Sequence, residues 1–166
     1  MIHPPASDWQ LAELNIARLK APMESPIVAD FVNALDRVNA VAERLDGFVW
    51  RHVDDTGNAM DTRIEEDPLV IYNASTWRDA EALETFVWGT IHKQFYHRRA
   101  EWFNALDSMH FALWWVPSGH RRTPTKAADK LARLDAEGPT ENAFCWPELP
   151  GATRWKQEQC TPLAAA

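Results

Sequence analysis

The chain has 166 residues, of which 46% are apolar and 25% are charged, and its formal net charge is −7. A chain of this length suits one domain with its own core. The negative charge argues against non-specific nucleic-acid binding, which needs a basic surface. No run of about 18 apolar residues occurs, so the sequence predicts no membrane span. The first residues lack the charged and apolar segments of a signal peptide, and we expect a cytoplasmic protein.

The cysteine and tryptophan counts are both informative. The two cysteines, Cys145 and Cys160, match no metal spacing and no disulfide framework, so we expect two unpaired thiols. Nine tryptophans are an unusual number for a chain of this size. Because aromatic rings bury large areas, this number suits an aromatic-lined cavity or a subunit interface.

The first two predicted elements are a strand and a helix. Residues 9–19 alternate between apolar and polar side chains, which predicts a strand. Asparagine is unfavourable at a strand centre, so we expect Asn15 either to have a partner or line water, or to tie down a neighbouring loop. Ser25 and Pro26 then provide the start signals of a helix with an apolar stripe, which ends at Gly47.

Two further strands are predicted at residues 48–54 and 69–77. The polar segment between them is an exposed connection that could cover the sheet as a lid. Its acidic run, Glu65, Glu66 and Asp67, indicates solvated surface, because adjacent carboxylates rarely converge on one ion.

The longest predicted element is a single helix at residues 76–106. Its inward stripe has steps of four, three, four, three and four residues and consists of Trp88, His92, Phe95, Arg99, Trp102 and Leu106. A face that only fills a core would use leucine, isoleucine and alanine. An imidazole and a guanidinium within an aromatic wall therefore indicate a pocket.

The remaining elements complete one predicted domain at residues 1–160, with its core at about 9–120. Residues 109–116 are almost continuously apolar, which predicts a strand buried on both faces. A short helix with its apolar residues inward follows at 123–137, and it leads into an extended arm that ends near residue 160. Residues 161–166 are expected to be a disordered tail.

The order strand, helix, strand, strand, helix, strand predicts an α+β fold of the ferredoxin-like split β-α-β type. In this fold a four-stranded antiparallel sheet carries both helices on one face. The other face would be bare and apolar, which soluble monomers avoid. We therefore expect a homodimer in which two sheets pack face to face.

Four residues are candidates for catalysis. A partly desolvated His92 favours the neutral form and a base or ligand role, but a core histidine bonded to a carbonyl is an equal alternative. Arg99 could hold a substrate anion, or form a salt bridge to Glu101, Glu84 or the acidic loop. Tyr96 could donate to an oxyanion, and His120 could donate a proton. A core tyrosine and a solvated turn are the respective alternatives.

Seven residues are candidates for contact with a small apolar or aromatic ligand, although the tryptophans also suit the core or a dimer interface: Asn15, Trp50, Trp77, Trp88, Phe95, Trp102 and Trp114. The chain contains no nucleophile elbow, phosphate-binding glycine loop, HExxH pair or CxxC pair. No metal site is predicted.

Several segments carry a resemblance to a known family: Leu14-Asn-Ile-Ala-Arg18, Gly47-Phe-Val-Trp-Arg51, Ser75-Thr-Trp77, Arg98-Arg-Ala-Glu-Trp-Phe103 and Leu113-Trp-Trp-Val-Pro-Ser-Gly-His120. Through them, roughly residues 9–145 resemble a bacterial family of uncharacterised domains in the dimeric α+β barrel superfamily. Antibiotic-biosynthesis-type monooxygenases belong to the same superfamily, as do haem-binding proteins, isomerases and polyketide cyclases. The resemblance implies the ferredoxin-like fold and a homodimer, with no shared catalytic motif.

Three functions are consistent with these observations. The first is a small-molecule enzyme, either a cofactor-independent monooxygenase or an isomerase or cyclase, with His92 as acid or base and Arg99 as anion anchor. The second is a non-catalytic protein that binds haem through His92 as axial ligand. The third is a dimeric scaffold, which predicts a fully packed interior.

Overall fold

A computed structural model describes residues 1–121 and 123–158. The tail expected at residues 161–166 and the thiol of Cys160 lie outside the described residues. Within them, the Cys145 thiol donates a hydrogen bond to the Phe111 carbonyl oxygen at 3.7 Å.

The centre of the fold is one antiparallel sheet. Its strands are β1 Gln10–Leu19, β2 Phe48–Arg51, β3 Val70–Trp77, β4 Phe103–Asn104 and β5 Phe111–Val116. β1 pairs with β3 on one edge and with both β5 and the short β4 on the other, while β2 borders β3. This strand order, with a helix after β1 and helices after β3, is ferredoxin-like. The predicted fold class is confirmed.

The helices are α1 Ala29–Arg44, α2 Ala80–Gly89, α3 His92–Trp102, α4 Pro124–Glu137 and the short α5 Trp155–Glu158. The Asp79 carboxylate caps the N-terminus of α2, where it accepts a hydrogen bond from the Ala82 amide at 2.8 Å. The prediction of one helix at residues 76–106 is wrong, because the chain breaks between α2 and α3.

Thr90 explains this break. It follows Gly89, a poor helix former, and its own backbone is extended. The Thr90 hydroxyl donates to the Phe86 carbonyl at 2.7 Å and accepts from the His92 amide at 3.2 Å. The side chain therefore replaces backbone hydrogen bonds of a continuous helix and starts α3 in a new direction.

Alternate residues of β1 face two different layers. Leu11, Glu13 and Asn15 point towards α1, α2 and α3, whereas Leu14 and Ile16 point to the opposite face. That opposite face is covered by apolar residues of α4 and of the connection before β3, namely Ala59, Ala127, Leu131 and Leu134. The expectation of a bare sheet face is wrong, because the chain covers this face itself. The homodimer remains a prediction that rests on the family resemblance.

The connection between β2 and β3 is folded against the body. The Asp54 carboxylate accepts hydrogen bonds from the amides of Thr56, Asp61 and Thr62. Burial alone would raise the pKa of Asp54, but these hydrogen bonds outweigh it and lower the pKa to about 2. In the acidic run, Asp67 bonds Arg18 at 2.6 Å, and Glu65 and Glu66 are exposed.

The packing of α4 on the sheet leads to a prediction about the free energy of unfolding. Leu134 is 4% exposed and packs on the sheet. We expect Leu134→Ala to lower the free energy of unfolding by about 2–5 kcal/mol, because it removes buried methyl groups and leaves a cavity. Urea unfolding followed by circular dichroism measures this change. Arg133→Ala, at an exposed neighbouring position, is the control and should change stability by about 0.5 kcal/mol or less. Equal effects of the two variants would contradict the docking of α4 on the sheet.

Candidate active site

A cavity of about 490 Å³ lies between the sheet and helices α1, α2 and α3. Its walls are mostly apolar, with Phe31 and Leu35 from α1, Phe86 from α2, and Trp146 and Trp155 from the C-terminal arm. This volume falls in the usual range of small-molecule sites, about 300–1,000 Å³. It contradicts the fully packed interior that the scaffold hypothesis predicts.

The structure brings most of the predicted site residues together. Eight of the eleven line the cavity: Asn15, Trp77, Trp88, His92, Phe95, Tyr96, Arg99 and Trp102. The other three lie elsewhere. Trp114 is buried on the α4 side, with Lys130 over its ring at 5.7 Å. Trp50 also lies on that side, near His52, and His120 is exposed in the turn after β5.

Glu13 is the site residue that the sequence analysis missed. It sits at the middle of β1, lines the cavity and is only 7% exposed. Asn15 donates to one of its carboxyl oxygens at 2.6 Å, and the Ser75 hydroxyl donates to the other at 2.7 Å. Asn15 therefore holds a cavity carboxylate rather than a neighbouring loop.

Trp77 and Ser75 extend the hydrogen-bond network around Glu13. The Trp77 indole N–H donates to the Ser75 oxygen at 2.8 Å, and the Ser75 hydroxyl donates to the Glu13 carboxylate. Burial raises the pKa of Glu13 to about 7, although the hydrogen bonds from Ser75 and Asn15 act in the opposite direction. A carboxyl group with this pKa both accepts and releases a proton near neutral pH.

His92 begins α3 and is held as a neutral ring. Its Nδ1 lies 3.3 Å from the Val87 carbonyl oxygen, which only accepts, so Nδ1 carries the hydrogen and Nε2 is the acceptor nitrogen. Burial lowers the pKa of His92 to about 4, with partial opposition from this hydrogen bond. The ring also packs on Phe86, with 4.8 Å between the centroids. The predicted carbonyl bond and the predicted cavity position therefore both occur.

Arg99 supplies a positive charge to the cavity wall. Its guanidinium lies 4.1 Å from the centre of the Tyr96 ring and donates to the Tyr96 carbonyl at 2.9 Å. Burial lowers the pKa of His110, another wall residue, and the nearby charge of Arg99 lowers it further. Two of the partners expected for Arg99 are engaged elsewhere, since Glu101 binds Arg98 and Glu84 binds backbone amides.

Glu84 fastens the C-terminal arm to α2. Its carboxylate is 3% exposed and accepts hydrogen bonds from the amides of Thr153, Arg154 and Trp155, at 3.0, 2.8 and 3.1 Å. Trp155, at the start of α5, is thereby held in the cavity wall.

Two absences hold for residues 1–121 and 123–158. These residues contain no cluster of three or more side chains of the kind that binds a metal ion. None of their helices is long and apolar enough to cross a membrane.

Comparison with known proteins identifies the family. The model of a domain of unknown function, DUF3291, matches residues 10–160. The chain belongs to the DUF3291 family. This match confirms the resemblance to a family of uncharacterised domains. None of the curated proteins that were compared with this DUF3291 chain matches it.

Several solved structures are similar to this DUF3291 chain at low identity. A conserved protein from Methanosarcina mazei is 13% identical with a TM-score of 0.48, covering 67% of this chain and 94% of its own. PA3566 from Pseudomonas aeruginosa is 16% identical with a TM-score of 0.45, covering 71% and 99%. SnoaB, a cofactor-independent oxygenase from Streptomyces nogalater, is 15% identical with a TM-score of 0.45, covering 69% and 96%.

The raised pKa of Glu13 predicts a pH-dependent stability. Between pH 4.5 and about 7 the folded state keeps a proton on Glu13 that the unfolded chain has lost. Glu13 therefore lowers the free energy of unfolding as the pH rises through this window. We expect Glu13→Gln to become more stable relative to wild type across it, by at most about 3 kcal/mol at about 1.4 kcal/mol per pKa unit.

The measurement must distinguish the effect of Glu13 on the pH dependence of stability from the effect of His92. The pKa of His92 is lowered from 6.5 to about 4, so its contribution to stability rises with pH in an overlapping window. Urea unfolding at a series of pH values therefore compares Glu13→Gln with wild type at each pH, and Glu81→Gln, exposed on α2, is the control. A difference that does not vary with pH would contradict the raised pKa of Glu13.

The Glu84 contacts predict a change in hydrogen exchange. We expect Glu84→Ala to increase exchange of the amides of residues 153–155 by tenfold or more, because each loses its carboxylate acceptor at about 1.5–3 kcal/mol per bond. Hydrogen–deuterium exchange read by NMR measures this. Glu81→Ala, at an exposed position on the same helix, should leave these amides unchanged. Equal protection in both variants would show that Glu84 does not fasten the arm.

Proposed function

We propose that this DUF3291 chain is a small-molecule enzyme that transfers a proton to or from an apolar, aromatic substrate held in the cavity. The observation that carries the proposal is Glu13, a buried carboxyl group in a mostly apolar wall with a pKa of about 7. Strongly shifted carboxyl groups in clefts are typical of acid–base catalysis.

In this proposal Glu13 is the base. Both of its oxygens accept hydrogen bonds from Asn15 and Ser75, which hold the carboxylate in one orientation. It removes a proton from an acidic O–H or C–H group of the substrate and becomes a neutral carboxylic acid. The substrate is left with a negative charge, and Arg99 in the same cavity wall stabilises that anion.

The sequence analysis gave His92 the role of acid or base, and in this proposal Glu13 takes that role instead. With a pKa of about 4 it is neutral at pH 7 and a weak base. Its acceptor nitrogen, Nε2, positions a substrate hydroxyl group. Cofactor-independent oxygenation, isomerisation or cyclisation that begins with proton removal from the substrate is compatible with a Glu13 base.

The homodimer and the cytoplasmic location belong to this proposal. Sheet-to-sheet packing no longer supports a dimer, since α4 covers that face, and the support that remains is the resemblance to the dimeric α+β barrel superfamily. Native mass spectrometry of the purified protein measures the subunit number and detects any bound ligand. A monomer would remove the dimer from the proposal and leave the single-chain cavity intact.

Haem binding is the second candidate, favoured by the geometry of His92. A ligating imidazole commonly donates its other N–H to a carbonyl, as Nδ1 of His92 does to Val87. Haemin titration tests this function: it predicts a shifted Soret band that is lost in His92→Ala and kept in His120→Ala, an exposed histidine outside the cavity. A band that persists in His92→Ala excludes His92 as the axial ligand.

The enzyme proposal predicts the kinetics of Glu13→Gln. We expect this variant to lose about 10²–10⁴-fold in rate, because glutamine keeps the shape but accepts no proton. The assay is a panel of bicyclic and tricyclic phenols and carbon acids in D₂O, in which NMR detects conversion or deuterium uptake. The wild-type rate should rise with pH through about 7 as Glu13 ionises, and Glu81→Gln is the control.

A specific outcome would defeat the proposal. If Glu13→Gln converts a substrate at the wild-type rate, Glu13 is not the base. The rate of His92→Ala on the same substrate would then decide whether the imidazole takes the proton.

A further inference from the structure

Three side chains form a hydrogen-bond chain that begins at a buried tryptophan and ends at the cavity carboxyl group. The Trp77 indole N–H donates to the Ser75 oxygen at 2.8 Å, and the Ser75 hydroxyl donates to Glu13 at 2.7 Å. Ser75 and Glu13 are directly paired in the β1–β3 ladder, and Trp77 follows two residues later on the same face of β3. The register of two neighbouring strands therefore places all three side chains.

Trp77 is the rigid end of this hydrogen-bond chain. It is 1% exposed, its ring stacks on Phe86 with 5.1 Å between centroids, and Phe48 meets it edge to face at 5.4 Å. A phenylalanine would make aromatic contacts of the same kind, but it has no N–H to donate. The indole nitrogen therefore gives Trp77 a contact that core packing does not require, and that contact is with the hydroxyl bonded to Glu13.

The hydrogen bond from Ser75 matters to Glu13 because burial removes the water around the carboxyl group. Burial raises the pKa of Glu13 to about 7, and the hydrogen bonds from Ser75 and Asn15 oppose that rise. A hydroxyl group that accepts one hydrogen bond donates a stronger one, because the two bonds polarise each other. Donation by Trp77 therefore strengthens the Ser75 bond and favours the ionised form of Glu13.

The other titratable groups of the cavity wall lie on separate elements. Neither α1 nor α2 contributes one to the wall, and the other elements contribute Arg51 from β2, His92, Tyr96 and Arg99 from α3, His110 before β5 and Cys145 from the arm. Burial raises the pKa of Tyr72, on the opposite face of β3, and the charge of Glu13 raises it further. Among the residues that the structure describes, Ser75 and Asn15 are the two donors to the Glu13 carboxylate.

We propose that Trp77 is a positioning residue for the base: acting through the Ser75 hydroxyl, it holds the Glu13 carboxylate in place and strengthens the hydrogen bond that this carboxylate receives. The inference deepens the proposed function and rests on it for its effect on the rate, since it assigns the residues that tune the proton-accepting group. The pH at which Glu13 becomes a base then depends on an N–H group that is directed at Ser75 rather than at the substrate.

The wild-type protein tests this inference without a substrate. A series of ¹H–¹⁵N spectra across neutral pH follows the Trp77 indole signal, and ¹³C spectra follow the Glu13 carboxyl carbon. We expect the Trp77 signal to shift with the midpoint of Glu13, at a pH of about 7, because ionisation of Glu13 strengthens both hydrogen bonds. The Trp115 indole, bonded to the Ile2 carbonyl at 2.9 Å, is the internal control and should not follow this midpoint. In Glu13→Gln the Trp77 shift should disappear.

Two matched pairs of variants measure the pKa of Glu13. Ser75→Ala should raise this pKa by about one unit, the effect of one hydrogen bond to a charged group, whereas Ser75→Thr keeps the hydroxyl and should leave it near the wild-type value. Trp77→Phe keeps an aromatic ring and should raise the pKa by about 0.3 unit. Trp115→Phe removes another buried indole N–H and should not change it. If Trp77 only fills the core, Trp77→Phe lowers stability and leaves the pKa of Glu13 unchanged.

Several outcomes would overturn the inference. It is wrong if the wild-type Trp77 signal does not shift with Glu13, if the same shift occurs in Glu13→Gln, or if Ser75→Ala leaves the pKa of Glu13 unchanged. Should Trp77→Phe fail to fold, the wild-type indole titration and the Ser75 pair decide the question.

These measurements do not use turnover, so the inference and the proposed function fail separately. If Glu13→Gln converts a substrate at the wild-type rate while the Trp77 signal follows Glu13, only the proposed function is wrong. If Glu13→Gln abolishes turnover while the Trp77 signal stays unshifted, only the inference is wrong. Where both hold, the pH at which the rate rises should move upwards in Ser75→Ala together with the pKa of Glu13.

Discussion

Strand β1 is hydrogen-bonded along both edges, and this pairing determines where the chemistry of the molecule lies. A strand in the middle of a sheet sends its side chains alternately into two layers. In β1 the layer under α4 receives the apolar side chains of Ala12, Leu14 and Ile16. The layer under α1, α2 and α3 receives Glu13 and Asn15 beside Leu11. One layer therefore holds an apolar cluster under α4, and the other encloses a cavity with a carboxyl group in its floor.

Burial of Glu13 works against stability, and the structure only partly offsets it. Two hydrogen bonds reach the carboxylate, yet burial still raises its pKa to about 7. A glutamine or a leucine at this position would avoid the cost of a desolvated charge. Residues that lower stability without a compensating structural contact are typical of functional sites.

Local periodicity predicted much of this structure, and it failed where the outcome depends on distant segments. The alternation in β1 and the apolar stripe of α1 identified both elements, because these patterns require no partner. The stripe from Trp88 to Trp102 continues across the break at Thr90 by coincidence of spacing, so one helix was predicted instead of two. The inward residues of α4 were predicted, but the local sequence pattern does not indicate which face of the sheet they cover.

The site shows the same limit. His92 and Arg99 were found because a charged or polar residue within an aromatic stripe is visible in the sequence alone. Glu13 was missed, because a polar residue in an alternating strand is usually solvent-facing, and here only the helices above β1 bury it. Glu13 could have been identified from the sequence because it shares with Asn15 the face of β1 that the helices must cover. Trp155 is harder still, since it enters the cavity wall only through the attachment of the arm to Glu84. A cavity enclosed by a strand, three helices and a distant arm is a property of tertiary packing, and only the residues that break a local pattern reveal it beforehand.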